Sequence, residues 1–431
     1  MGRKQVVILG AGFAGLQLAR RISDRDYEVT LIDQYNFHQF QPLMYQVATA
    51  RLEPSSISFP LRKIFQKKKN VHIRIVKIES VDTVAQKVIT NKEAFPYDYL
   101  VIATGCTTNY FGNRNIEELA FPMKSTTESI TLRNRILLNF EDALSAATEE
   151  LQAIMNIVVV GGGPTGVELS GSLAELKSNI LPKDYPDMDF SRLNVYLLEA
   201  GPATLGVMSK ASQKKSQEYL EAMGVNVWTN AQVKDYDGKN VMLADGRLIP
   251  THTLIWAAGV IGNVPAGISK EKLVRGNRIK TDANHRIEGM QNVFVLGDIS
   301  YMETPGFPKG HPQLANVAIA QAKNMALNFK KITQNQPLKP FSYKNPGTMA
   351  TVGKRKAVVD LPFLSFQGRI AWFVWMFLHL MLIVSVKNRL FIFINWAISY
   401  FTNDTTLRLI LLPTNKQIRF IMDRENAAKQ Q

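Results

Sequence analysis

Apolar positions along this chain follow two alternating periods. QVVIL at 5–9, EVTLID at 28–33 and YLVI at 99–102 are short, near-continuous apolar runs, the pattern of parallel strands buried on both faces. Between the first two lies LQLARRIS, with apolar residues at helical spacing. The pattern then starts again: IVVV at 157–160, a helical stretch, VYLLE at 195–199 and TLIW at 253–256. Strands alternating with helices in this way predict an α/β fold built from two doubly wound, Rossmann-like units. Farther on the pattern changes. Residues 370–386 read IAWFVWMFLHLMLIVSV, with no formal charge over 17 positions, and LFIFINWAISYF follows at 390–401 after Lys387-Asn388-Arg389.

The turns between these elements carry the chemistry. The first strand runs into Gly10-Ala11-Gly12-Phe13-Ala14-Gly15 and then a helix, the order a dinucleotide-binding fingerprint requires. Gly10 permits the tight turn, Gly12 lets backbone approach a pyrophosphate, and Gly15 lets the helix lie close. The phosphates would meet the free amides and positive dipole end of that helix. Asp33, 23 residues past Gly10, ends the next strand and can accept hydrogen bonds from a ribose.

The second copy reads Gly161-Gly162-Gly163-Pro164-Thr165-Gly166, with Glu199 at the end of its acidic strand. Each copy closes on an Ala-x-Gly strand end, Ala103-Thr104-Gly105 and Ala257-Ala258-Gly259, 95 and 98 residues after the first glycine. One such motif is a common glycine turn; two at matched spacing are a repeat. KSNILPKDYPDMDFSRL, at 177–193, reads as an insertion that widens the gap before Glu199. A carboxylate at that position repels a 2′-phosphate, so NADH is expected over NADPH. The later segment QNVFVLGDIS places Gly297-Asp298 after a strand, where a carboxylate can meet a ribityl or ribose hydroxyl; by spacing alone it is a turn.

Composition narrows the class. A chain of 431 residues with 46% hydrophobic and 20% charged residues is globular and long enough for two or three domains. Its one cysteine, Cys106, excludes an intramolecular disulfide, a CxxC redox pair and a cysteine-rich metal centre, and no metal site is expected. Net charge is +15, and residues 331–431 hold 14 Lys and Arg against 4 Asp and Glu. Basic residues beside apolar helices suit an anionic bilayer surface, each contributing about 1 kcal/mol. A solvated basic face fits the same counts. No aromatic-interleaved basic module or zinc spacing supports nucleic acid.

Seventeen helical residues span about 26 Å, short of the roughly 30 Å hydrocarbon core. Lys387 and Arg389 between the apolar runs make two helices lying in one leaflet the favoured reading over a spanning hairpin, with a buried dimer interface as the third. Trp372, Trp375 and Trp396 suit the wet and apolar surroundings of an interface. His379 is expected to be structural. MGRKQVVILGAG enters a strand at once, without room for a cleavable signal, and Val6 breaks the myristoylation pattern, so the cytoplasmic side is expected.

These motifs together resemble the two-domain flavoprotein superfamily of the disulfide reductases, from whose thiol-using members the lone Cys106 departs. Within it, His38-Gln39-Phe40-Gln41-Pro42-Leu43-Met44-Tyr45-Gln46-Val47-Ala48, GGGPTGVELSG at 161–171, WAAGV at 256–260 and NRLFIFINWAISYFTNDTTLRLI at 388–410 resemble type II NADH dehydrogenases, single-subunit NADH:quinone oxidoreductases that do not pump protons. The resemblance implies an FAD domain of residues 1–115 and 280–345, an NADH domain of 116–279 and a membrane-anchoring domain of 346–431. It implies FAD contacts from Gly10, Gly12, Phe13, Ala14, Gly15, Asp33, Gln34, Pro42, Ala103, Thr104, Gly105, Gly297, Asp298, Gln313, Leu314 and Ala315. NADH would meet Gly161, Gly163, Pro164, Thr165, Gly166, Glu168, Glu199, Ala258 and Gly259.

Glu168, Gln46, Asn316 and Gln313 would serve the chemistry, with Glu168 toward the nicotinamide and Gln46 and Pro42 near the flavin ring. Membrane lipid, menaquinone or ubiquinone, and a second copy of the chain are the implied partners, on the cytoplasmic face of the inner membrane. The family's quinone-side helix reads Ala-Gln-x-Ala-x-Gln, whereas here Asn316 and Ala320 stand at the two glutamines and Gln321 is turned about 100° away. Two further readings stay open: a soluble NAD(P)H reductase of a protein carrier, and an NADH-sensing flavoprotein docked to a partner.

Overall fold

The computed structural model describes residues 2–402, 407–414, 416 and 418; the remaining positions of the expected 346–431 tail, and part of the 388–410 motif, lie outside the described residues. Two parallel five-stranded sheets form the body. In the first the order is 293–295, 99–102, 4–9, 27–33, 71–75; in the second it is 121–122, 253–256, 156–160, 194–198, 225–228. The fingerprint strand is thus flanked in each sheet by the Ala-x-Gly strand and by the acidic strand. Register repeats as well, with Leu9 opposite Ile102 and Val160 opposite Trp256 at the carboxyl ends. Both sites therefore form where the strand order switches direction, the usual ligand crevice of such sheets.

Between its third strand and its Ala-x-Gly strand, each unit inserts a three-stranded antiparallel meander, 78–96 and 233–250. The chain crosses between units at 106–108 and returns at 260–262, and these two segments pair antiparallel. The insertion at 177–193 finishes the helix Pro164–Asn179 and continues through a short helix, Leu181–Asp184.

The tail begins as a sheet. Strands Thr348–Thr351, Ala357–Asp360 and Ser365–Gly368 form an antiparallel meander ahead of the helices Arg369–Leu382 and Val386–Thr402. Asp360 anchors it to the second unit by accepting from Ser209 N at 2.7 Å, Ser209 Oγ at 2.9 Å and Ser212 Oγ at 2.8 Å. Despite burial, these donors hold its carboxyl below the ordinary range. Arg51 and the Lys354 amide both bind Glu175, a second tie.

The interruption at 387–389 is a cap. Arg389 Nε donates to Ile383 O at 2.8 Å and Arg389 Nη2 to Met381 O at 3.1 Å, satisfying carbonyls that the end of the first helix leaves open. Asn388 Nδ2 donates to Ser55 O and Ser56 O, both at 3.0 Å, fixing the second helix to the first unit. The tryptophans correct the sequence reading: Trp372, Trp375 and Trp396 are 7%, 1% and 8% exposed and face the protein. Spacing puts them on the inner stripe of each helix, and the outer stripe is Phe373, Phe377, Leu390, Phe393, Ile398 and Phe401. Among the described residues no helix is long and apolar enough to cross a membrane.

Candidate active site

Each fingerprint turn is dictated by close backbone contact. A Cβ on Gly10, at φ +97°, would lie 2.4 Å from Ala103 O; on Gly161, at φ +109°, it would lie 2.5 Å from Ala257 O. Gly12 and Gly163, at the helix N-termini, have nothing within 4 Å of where a Cβ would stand, and Gly12 lines the first cleft.

The acidic strand ends match atom for atom. Asp33 accepts from Ala11 N at 2.7 Å and Tyr35 N at 2.8 Å. Glu199 accepts from Gly162 N and Gly201 N, both at 2.6 Å. In both copies the carboxylate ties the residue after the first glycine to the amide two residues beyond itself. The insertion before Glu199 has not displaced it.

Gly10, Gly12, Phe13, Ala14, Asp33, Gln34, Ala103, Thr104, Gly105, Gly297 and Asp298 line the first cleft together. Lys124, Ser125 and Glu128 join them from the start of the helix Thr126–Ala143, a contribution no motif signalled. Thr104 Oγ1 donates to Asn263 O at 2.7 Å, closing the cleft against the returning crossover segment. Burial raises the Asp298 carboxyl, and Lys124 and Arg278 offset part of that rise. The second cleft, about 570 Å³, is lined by Gly161, Glu199 and Ala258 with Tyr110, Phe111 and Trp256.

A third cluster joins both units to the tail. Glu168, on the helix that Gly163 begins, is 8% exposed and accepts from Thr351 N at 3.3 Å, with Thr351 Oγ1 at 3.5 Å. Thr351 Oγ1 lies 3.1 Å from Tyr45 OH, Gln46 Nε2 donates to that oxygen at 2.9 Å, and Trp396 Nε1 donates to Gln46 Oε1 at 2.8 Å. A cavity of about 30 Å³, room for roughly one water, lies among them. Burial pushes the Glu168 carboxyl up to about 8, partly offset by the Thr351 amide and hydroxyl and by the neighbouring Trp375 indole N–H.

Glu168 and Gln46 thus share a cluster. Asn316, exposed at the start of the helix Ala315–Thr333, and Gln313 do not line its cavity. Gln313 Nε2 lies 2.8 Å from Cys106 Sγ and donates to Asp298 O at 3.1 Å. Leu314 is exposed and Ala315 half-buried at the same helix start, and Pro42 is the middle residue of the short turn Gln41–Leu43 before Met44–Ala48. Gln321, turned inward, accepts from Gly297 N at 2.6 Å and so fixes the Gly297-Asp298 turn. His379 Nδ1 donates to Trp375 O at 2.8 Å and burial lowers its pKa to about 4, leaving it a neutral packing residue. Sequence reading passed over Tyr45, Thr351 and Trp396 as site residues. Tyr45 and Trp396 lie inside the motifs that carry the family resemblance, and Thr351 lies outside them.

Comparison with known proteins agrees over nearly the whole chain. Residues 4–322 match the pyridine nucleotide-disulphide oxidoreductase family and 346–403 match the NDH2 C-terminal domain. The type II NADH:quinone oxidoreductase NdhA of Mycobacterium tuberculosis is 36% identical, over 93% of this chain and 87% of the relative. That of Staphylococcus aureus is 30% identical over 83% and 89%. The structure of NDH2 from Plasmodium falciparum in complex with NADH superimposes with a TM-score of 0.88 at 21% identity, covering 95% of this chain and 100% of that one. A sulfide:quinone oxidoreductase from Aquifex aeolicus follows at 0.73 and 19%, over 95% and 96%. At such identities the two structures speak for the fold.

Proposed function

The chain belongs to the type II NADH:quinone oxidoreductases, and we propose that it oxidises NADH by way of bound FAD and reduces a quinone at a membrane surface. The observation that carries this is the buried Glu168 cluster, which joins both dinucleotide units to a tail whose outer stripe is apolar. A reductase serving a soluble protein carrier has no use for that stripe.

The first cleft fits FAD: Gly12 leaves backbone open to a pyrophosphate, and Asp33, Thr104 and Asp298 stand where hydroxyls need partners. Gly161, Gly163 and Gly166 with Glu199 offer the second cleft to NADH, and the Glu199 carboxylate disfavours the 2′-phosphate of NADPH. Bound FAD supplies the electron transfer itself. The chain's own residues orient the two cofactors, exclude water and hold protons.

Glu168, protonated at neutral pH, holds a proton at Oε1 or Oε2 in a buried site. Quinone reduction consumes protons, and Glu168 is the buried group placed to give one. Gln46 bridges the Tyr45 hydroxyl and the Trp396 indole. The tail seats monotopically in one leaflet through its exposed Phe and Ile residues, on the cytoplasmic face, where the basic surplus of residues 331–431 meets anionic headgroups. Menaquinone and ubiquinone are both candidate acceptors, and a homodimer is the proposed assembly, tested by mass in detergent.

The experiment is anaerobic. With the detergent-solubilised holoprotein, NADH is expected to bleach the flavin absorbance and a short-chain quinone to restore it within the mixing time. A flavin that stays bleached with both naphthoquinone and benzoquinone analogues overturns the proposal in favour of the sensor reading.

A further inference from the structure

The buried cluster has a direction. An indole N–H can only donate, so Trp396 requires the oxygen of the Gln46 amide, and the Gln46 nitrogen must then face Tyr45. With its oxygen accepting from Gln46, the Tyr45 hydroxyl directs its own proton along the 3.1 Å contact to Thr351 Oγ1. Thr351 in turn directs its backbone amide at Glu168 Oε1 at 3.3 Å, with its hydroxyl in a longer contact to the same oxygen at 3.5 Å. Five side chains from four separate stretches are thereby aligned head to tail. The donor end is on a helix whose outer face carries Phe393, Ile394 and Ile398, and the acceptor end is a carboxyl between the two dinucleotide units.

We propose that Trp396 is a positioning residue: its indole N–H, on the apolar tail helix, fixes a one-way chain of donors through Gln46, Tyr45 and Thr351 that holds the Glu168 carboxyl and favours its ionised form. Seating of the tail helix then controls a proton-holding group to which the Trp396 N–H, given to Gln46, does not itself donate. The chain is cooperative, since each polarised hydroxyl is a better donor to the next acceptor. A protonated Glu168 cannot donate back to Thr351 without opposing every link behind it. The proposal rests on the reading of Glu168 as a proton-holding group in turnover, but its test does not.

Other ionisable groups face the carboxyl. Arg51 and Lys354 line the same cavity and favour the ionised form; Arg51 is bound to Glu175, so its charge is shared. Tyr45 is protonated, and His379, stacked on Trp375, is neutral. Lys354 is tied to Ser399 O on the same tail helix and burial lowers its pKa to about 8, so the Thr351→Val variant, which leaves that helix unchanged, is the control that assigns a shift to the chain.

The readout is the infrared carboxyl band of the holoprotein in detergent, assigned to Glu168 by its loss in Glu168→Gln, and titrated with pH. Trp396→Phe keeps an aromatic ring and deletes the donor; the midpoint is expected to rise by about one pH unit, the usual scale of one charge-assisted hydrogen bond. Thr351→Val should raise it as well, Thr351→Ser should restore it, and the Trp396→Phe, Thr351→Val pair should go no further than Thr351→Val alone. An unmoved midpoint in Trp396→Phe that keeps its FAD overturns the proposal. If that variant fails to fold, an unmoved midpoint in Thr351→Val does the same. Should the midpoint move while Glu168→Gln turns over at the wild-type rate, the chain stands and the catalytic reading of Glu168 falls.

Discussion

Replacing Glu168 by glutamine should change how the stability of this protein depends on pH. The carboxyl ordinarily titrates near 4.5 and burial lifts it to about 8 in the folded chain. Between those two values the folded state holds a proton that the unfolded state has released, so stability falls as pH rises. From pH 5 to pH 9 the loss amounts to about 4 kcal/mol, at about 1.4 kcal/mol for each pH unit between the two midpoints. Glutamine has the shape of the protonated acid and nothing to lose. For a chain of 431 residues, whose unfolding entropy is about 0.9 kcal/mol per degree, the Tm of Glu168→Gln relative to wild type should climb by about 4 °C across that range. The assay is thermal melting of the holoprotein followed by tryptophan emission at several pH values. Parallel Tm curves for the two proteins would show that Glu168 ionises in the fold as it does in water, and the argument from burial would fail.

Three other outcomes are expected. Gly161→Ala places a Cβ 2.5 Å from Ala257 O, on backbone at φ +109°, and should weaken NADH binding by about tenfold or more while the flavin spectrum is unchanged, measured by titration of flavin bleaching. Arg389→Gln removes two bonds that cap the helix Arg369–Leu382 and should cost about 1.5–3 kcal/mol, read from denaturant midpoints in detergent. Phe393→Asp combined with Ile398→Asp charges the outer stripe of the second tail helix without touching Trp396, and should lower flotation with anionic vesicles roughly tenfold or more while FAD content is retained.

How much of this was legible in the sequence follows from where each constraint acts. The fingerprint turns were, because their glycines answer to contacts made within one β-turn-α unit, as the 2.4 Å and 2.5 Å approaches to Ala103 O and Ala257 O show. The pairing of Asp33 with Glu199 was also legible, although the insertion at 177–193 obscured it, because each acid is held by the amide after its own first glycine. The tail meander at 348–368 escaped notice: its strands are four residues each and carry no clean alternation.

The tryptophans were assigned to the wrong side because interface preference and inner-stripe packing use the same residue type. What separated them was an acceptor for the indole, Gln46, lying 350 residues away. The Glu168 cluster was illegible for the same reason, since no local pattern records that positions 45, 168, 351 and 396 meet. The family's second amide position illustrates the limit from the other side. Reading the motif alone, Gln321 was a displaced quinone-side residue; the fold gives it the Gly297 amide to hold. A glutamine one position along a helix faces another way, and what it then does is decided by the neighbour it finds there. The motif could show that the amide at 320 is missing, but only the packing of Gln321 against the Gly297-Asp298 turn shows that this helix supports the first cleft whether or not it serves a quinone.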